Sequence, residues 1–110
     1  MIRVVILKNN LGTISVECSG HAGYAEAGND IICAAVSALM INTANSLEQL
    51  TEDDMTVDQA EDGGWLKISL SETPSDRALV LMDSLALGLE WIEKSYGTTF
   101  LSVKVKKQNS

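Results

Sequence analysis

Hydrophobic residues recur along this chain with two periods, and the changes between them divide it into seven elements. Residues 2–8 are rich in valine and isoleucine and end at Asn9-Asn10-Leu11-Gly12, a turn signal. Over 13–19, Ile14, Val16 and Cys18 alternate with Ser15 and Glu17, the pattern of a half-buried strand. The two segments are predicted to pair as a hairpin. From about Ile31 to Leu47 the period becomes helical, with Ile32, Val36, Leu39, Thr43 and Leu47 on one face. Asp30 stands where an N-cap would, and Ala34, Ala35 and Ala38 are small enough to let this helix lie close against a sheet.

Residues 48–54 are polar and acidic, a connector. Met55–Glu61 and Trp65–Ser71 are predicted to form a second hairpin across Asp62-Gly63-Gly64, with Leu66, Ile68 and Leu70 facing inward. Thr73-Pro74-Ser75-Asp76 reads as a helix start, with a capping Thr, Pro at the first helical position and an acid three residues after the cap. That helix is expected to run to about Tyr96, burying Leu81, Leu85, Leu89, Ile92 and Tyr96 and leaving Asp76, Asp83 and Glu90 as a solvated acidic stripe. Gly97 should end it as a left-handed cap. Thr99–Lys106 is a last alternating strand. The order ββαββαβ implies a two-layer α+β fold, with two helices on one face of a mostly antiparallel sheet.

At 110 residues the chain is expected to be one domain, 1–110, too small for a deep enclosed cavity. A substrate would then meet a shallow groove, or one completed by a second subunit. Fifteen acidic against eight basic residues leave a formal charge of −7, which repels phosphate backbones and attracts basic proteins. Nucleic acid is therefore not an expected partner. Met1 to Lys8 reaches a charge before a signal peptide's apolar stretch accumulates, and no uncharged run approaches the ~18 residues of a membrane span. The expectation is a cytoplasmic protein with no membrane association.

Candidate chemistry concentrates in Gly20–Leu39, GHAGYAEAGNDIICAAVSAL. It holds the only histidine, His21, and the glycines Gly20, Gly23 and Gly28 in what reads as a mobile loop. If Asp30 caps the helix, Cys33 is the third helical residue, where unpaired N–H groups and the helix dipole favour a thiolate. His21 can meet it across the glycine loop. The arrangement suggests a Cys–His dyad, with Cys33 attacking a carbonyl and His21 acting as base and then as acid to the leaving amine. Ser37 lies four residues on, on the same face.

Blander readings stand beside this one. A cysteine followed by Ala-Ala-Val is often core, a single histidine is often a hydrogen-bonded surface residue, Asp30 can be a cap only, and Ser37 a small packing residue. Cys18, His21 and Cys33 with a carboxylate could hold zinc, although no CxxC pair is present. A Cys18–Cys33 disulfide would need an oxidising compartment.

Gly20-His21-Ala22, then Tyr24-Ala25, Gly28, Asp30-Ile31 and Cys33-Ala34-Ala35-Val36-Ser37 with Leu39, resembles the ribosomal-processing cysteine proteases of bacteria, the Prp family. Length and element order extend the resemblance over the whole chain. It implies a cytosolic endopeptidase that removes the N-terminal extension of large-subunit ribosomal protein twenty-seven, working as a homodimer without a cofactor or metal. By motif position, Cys33 would be the nucleophile and His21 its base. Asp30 and Ser37 would support them, and Gly20, Ala22, Gly23, Tyr24 and Gly28 would form the substrate loop, expected to stand open until peptide binds. The rival reading is a non-catalytic ribosome-assembly or peptide-binding module.

Overall fold

The computed structural model describes residues 1–20, 29–61 and 63–108, and of residues 29 and 30 the backbone only. Seven elements follow one another: β1 (Ile2–Lys8), β2 (Thr13–Ser19), α1 (Asn29–Leu50), β3 (Met55–Gln59), β4 (Trp65–Leu70), α2 (Asp76–Tyr96) and β5 (Leu101–Lys107). The five strands form one sheet in the order β3-β4-β2-β1-β5. Only β1 and β5 run parallel; the other neighbours are antiparallel. This is the α+β arrangement that the periodicity implies.

The core lies between the sheet and the two helices. Val4 pairs with Cys18 and Ile6 with Val16, and all four are buried, as is Ile68, which faces Val16 from β4. Helix α1 sets Ile32, Val36, Met40, Thr43 and Leu47 into this layer. Thr43 is tolerated there because its hydroxyl donates to the Leu39 carbonyl at 2.8 Å, one turn back. Helix α2 adds Ala78, Leu79, Met82, Leu85, Ala86, Leu89 and Ile92. Leu81 is half-buried and Tyr96 exposed, so the buried face of α2 is rotated from the leucine series toward Ala78, Met82 and Ala86.

Several local expectations are corrected. Register shifts between Leu7 and Lys8, so that Thr13 faces Lys8 and Ser15 faces Leu7, leaving Ile14 as an extra residue. This bulge takes Ile14 off the face shared by Val16 and Cys18 and into a surface groove with Leu7, Ser15 and Lys67. It also buries Thr13, whose Oγ1 has no hydrogen-bond partner. Asp83 belongs to no solvated stripe: it is half-buried, and its Oδ1 accepts the Thr13 N–H at 2.9 Å. The carboxylate also crowds Gly12, where a Cβ would lie 3.1 Å from Asp83 Oδ2 and φ is +146°. One carboxylate of α2 thus fixes the end of the first hairpin.

The cap of α2 is Ser75 rather than Thr73, two residues later than expected. Its Oγ accepts the Ala78 N–H at 3.1 Å, while its own N–H and hydroxyl donate to the Asp53 carboxylate. Those two bonds from Ser75 hold the Asp53 carboxyl below the usual carboxylate range. Gly97 does end the helix, with φ 82° but an extended ψ of 178°, and its N–H donates to the Glu93 carbonyl at 2.8 Å. Ala34 and Ala38 are exposed, and Ala35 and Ala38 face α2 instead of the sheet. The close approach is at Gly88, where a Cβ would lie 3.0 Å from Leu39 Cδ1. The Ile31–Leu50 stretch is long and apolar enough to cross a membrane, which corrects the expectation that no run approaches that length. Here one of its faces supplies the core of the sheet.

Replacing Asp83 separates packing from hydrogen bonding. Asp83→Ala leaves the Thr13 N–H unpaired and should lower the unfolding free energy by about 1–3 kcal/mol in urea titration. Asp83→Asn keeps an oxygen acceptor and should lose less than half of that.

Candidate active site

Cys33 and Ser37 reach the rim of the core by helix geometry. Ile32 and Val36 are buried against the sheet, so the residue following each stands at the edge of the buried stripe; Cys33 and Ser37 are both half-buried there. Cys33 packs against the core from that position. The two lie four residues apart on one face, as the sequence implies.

Helix α1 starts at Asn29, so Asp30 lies inside the first turn and not at the N-cap. Cys33 is accordingly the fifth helical residue, not the third. The first four N–H groups of a helix lack intrahelical acceptors, and the dipole weakens beyond the first turn. The helix end therefore offers a Cys33 thiolate less stabilisation than the sequence suggests. His21, Ala22, Gly23, Tyr24 and Gly28 lie outside the described residues, as does the Asp30 side chain. The expectation of a loop that stands open without peptide falls on that segment.

The entry to segment 21–28 is tightly fixed. Gly20, the last described residue before it, has φ +83°, and a Cβ there would lie 2.5 Å from the Met1 carbonyl oxygen. Its N–H donates to the Gly64 carbonyl at 2.8 Å, tying the end of β2 to the β3–β4 turn. Only glycine fits this combination of space and backbone angle.

Cys18 is the second thiol of the region. It is buried on β2, opposite Leu66 of β4, and is not disulfide-linked to Cys33. Burial, with a smaller contribution from the Cys33 charge, pushes its thiol up to about 12. Cys18 thus stays neutral over the physiological range, and its coupling to Cys33 shows that the two sulfurs share one neighbourhood. Among the described residues no group of three His, Cys, Asp or Glu side chains could hold a metal; the zinc reading involves His21, which lies outside them.

Beside Ser37 a small, mainly apolar cavity of about 210 Å³ opens between α1 and the second hairpin. Its lining includes Cys18, Met40, Ile41, Gln59 and Gly63. These residues carry no motif, and the sequence signal for them is faint: Ile41 simply repeats the four-residue spacing of Cys33 and Ser37.

Comparison with known proteins settles the family. The family model for the cysteine protease Prp matches residues 1–100. The chain belongs to the Prp cysteine protease family. It is 33% identical over 101 residues to the ribosomal processing cysteine protease Prp of Bacillus subtilis, covering 87% of this chain and 90% of that one. It also superposes on the essential Prp protease of S. aureus crystallised with a substrate peptide, with a TM-score of 0.88, 28% identity, and coverage of 96% of this chain and 100% of the other. A second S. aureus structure, carrying a covalently linked product peptide, gives a TM-score of 0.85 at 29% identity, with the same coverage. The chain is thus a cysteine protease.

The contrast between its two thiols can be counted. At pH 8, iodoacetamide should add one carbamidomethyl group per native chain, at Cys33, as read by peptide mass spectrometry. Cys18 should react only in denaturant, because the neutral thiol is a poor nucleophile and is buried. Because its pKa is raised on folding, this burial stabilises the fold at neutral pH. That contribution should fade as pH rises from about 8.5, where the unfolded thiol ionises, through about 12.

Proposed function

We propose that this protease removes the N-terminal extension of large-subunit ribosomal protein twenty-seven, in the cytoplasm and ahead of ribosome assembly. The observation that carries the reading is the position of Cys33, half-exposed at the start of α1 within a chain of the Prp family. The relatives named for ribosomal processing, one of them crystallised with a substrate peptide, supply the substrate class. The formal charge of −7 favours encounter with a basic ribosomal protein.

In this reading His21 takes the Cys33 proton, and the thiolate Sγ attacks the scissile carbonyl carbon. Unpaired N–H groups of the first turn of α1 stabilise the oxyanion, each such donor being worth about 3 kcal/mol in comparable sites. As the tetrahedral intermediate collapses, the C–N bond breaks and His21 returns the proton to the departing amine. Water, deprotonated by His21, then attacks the thioester and releases the acid product and Cys33. Asp30 and Ser37 support this pair. Gly20, Ala22, Gly23, Tyr24 and Gly28 shape the loop around the peptide. No step calls for a metal or cofactor.

The active species is a homodimer in this account. What supports it is an apolar groove of about 400 Å³ between α1 and α2, where Ile31, Trp91 and Tyr96 are each more than half exposed. Trp91 and Tyr96 pack edge to face there, 6.4 Å between centroids. A surface of this kind favours a covering partner.

The test is mass spectrometry of the extended N-terminal peptide after incubation with wild-type, Cys33→Ala and His21→Ala proteins. One new cleavage is expected with the wild type, none with Cys33→Ala, and at least ~100-fold slower cleavage with His21→Ala. Binding of the peptide without cleavage by the wild type would favour a peptide-binding module instead.

A further inference from the structure

A net negative charge argues against nucleic acid only where the charge is evenly spread, and in this fold it is not. β1 and β5 pair in parallel at one edge of the sheet. They carry Arg3, Lys8, Lys104, Lys106 and Lys107 and no acid, while the rest of the chain holds three cations against all fifteen acids. Ile2, Val4, Ile6 and Leu101 are buried in one core cluster with both helices. The alternate residues Arg3, Val5, Leu7, Ser102, Lys104 and Lys106 therefore lie on the other face of the sheet. Arg3, Lys104, Lys106 and Lys107 are exposed. Lys104 and Lys106 stand about 7 Å apart along the strand, and Lys107, opposite Lys8, closes the row at the sheet's end.

Beside this row a surface groove of about 460 Å³ extends from Leu7 to β4. Lys67, Ser69 and Gln108 are among its polar lining, and Leu7, Ile14 and Leu70 among its apolar lining. A row of cations beside a groove of mixed lining suits a single nucleic-acid strand, whose phosphates follow the charges while a base turns into the groove. A membrane surface would call for exposed apolar side chains between the lysines, and Val5 and Leu7 are half-buried. We propose that the β1–β5 half of the open sheet face is a docking surface for single-stranded RNA. The choice of RNA as the strand rests on the reading of a ribosomal substrate. The surface uses none of the residues assigned to cleavage.

The experiment titrates the full chain into a fluorescein-labelled, unstructured RNA of about 16 nucleotides and reads anisotropy. At about 50 mM salt the wild type should bind in the micromolar range. The logarithm of its affinity should fall against that of salt with a slope of about −2 to −3, as for three or four phosphate contacts on a single strand. Lys104→Gln combined with Lys106→Gln should weaken binding at least about 10-fold and make the slope shallower by about 1.4. Both lysines are exposed, so the fold should tolerate the change. Lys94→Gln, which removes a cation of α2, should leave the affinity within about twofold. The double variant should cleave the ribosomal extension peptide as the wild type does, so failure of the protease reading shows in cleavage and failure of the docking surface in anisotropy. No binding at that salt, a slope near zero, or equal weakening by Lys94→Gln would overturn the proposal. So would phosphatidylserine vesicles bound as tightly as the RNA, or self-association through Lys104 and Lys106 in place of RNA binding.

Discussion

The molecule depends on how one helix lies against one sheet. Ile32, Val36, Met40 and Leu47 of α1 are buried in one core cluster with residues of the sheet and of α2, and this single stripe fixes the rotation of the helix. A helix turned by one residue would bury Cys33 or carry it into solvent. Held as it is, the helix leaves Cys33 and Ser37 half-buried along the rim and Ile41 exposed. The packing that stabilises the fold is thus also what sets the position of the Cys33 thiol.

The elements around α1 hold fixed points from which the site is assembled. Gly20 is wedged against Met1 and bonded to Gly64, so the strand preceding His21 ends at a defined place. Asp83 of α2 holds the first hairpin at Thr13, and Asp53 holds Ser75 at the start of α2. Each of these links joins segments distant in sequence through one polar side chain or one glycine.

The sequence made the architecture legible because periods of two and 3.6 alternate cleanly, and all seven elements fall within a few residues of where those periods place them. Errors arose where a single tertiary contact overrides a local rule. Thr73-Pro74 has good helix-start chemistry, but the Asp53 carboxylate selects Ser75 as the cap. Asp83 fits an exposed heptad, but the Thr13 N–H draws it inward. Ile14 fits an alternating strand until a bulge moves it to the other face. Cys33 and Ser37 were legible as chemistry because a glycine loop, an acid and a thiol occur together. The cavity beside them was not, since Met40, Gln59 and Gly63 converge only when α1 meets the second hairpin.

Because Cys33 is the fifth residue of α1, beyond the strongest part of the helix field, the proposed dyad draws most of its activation from His21. The most direct test is the rate of Cys33 alkylation by iodoacetamide against pH, for the wild type and His21→Ala. The expected result is a wild-type profile whose midpoint lies well below 8.5, the ordinary value for a free thiol, and a His21→Ala profile that returns toward it. Superimposable profiles, or a wild-type midpoint at or above the ordinary value, would contradict the pairing of His21 with Cys33.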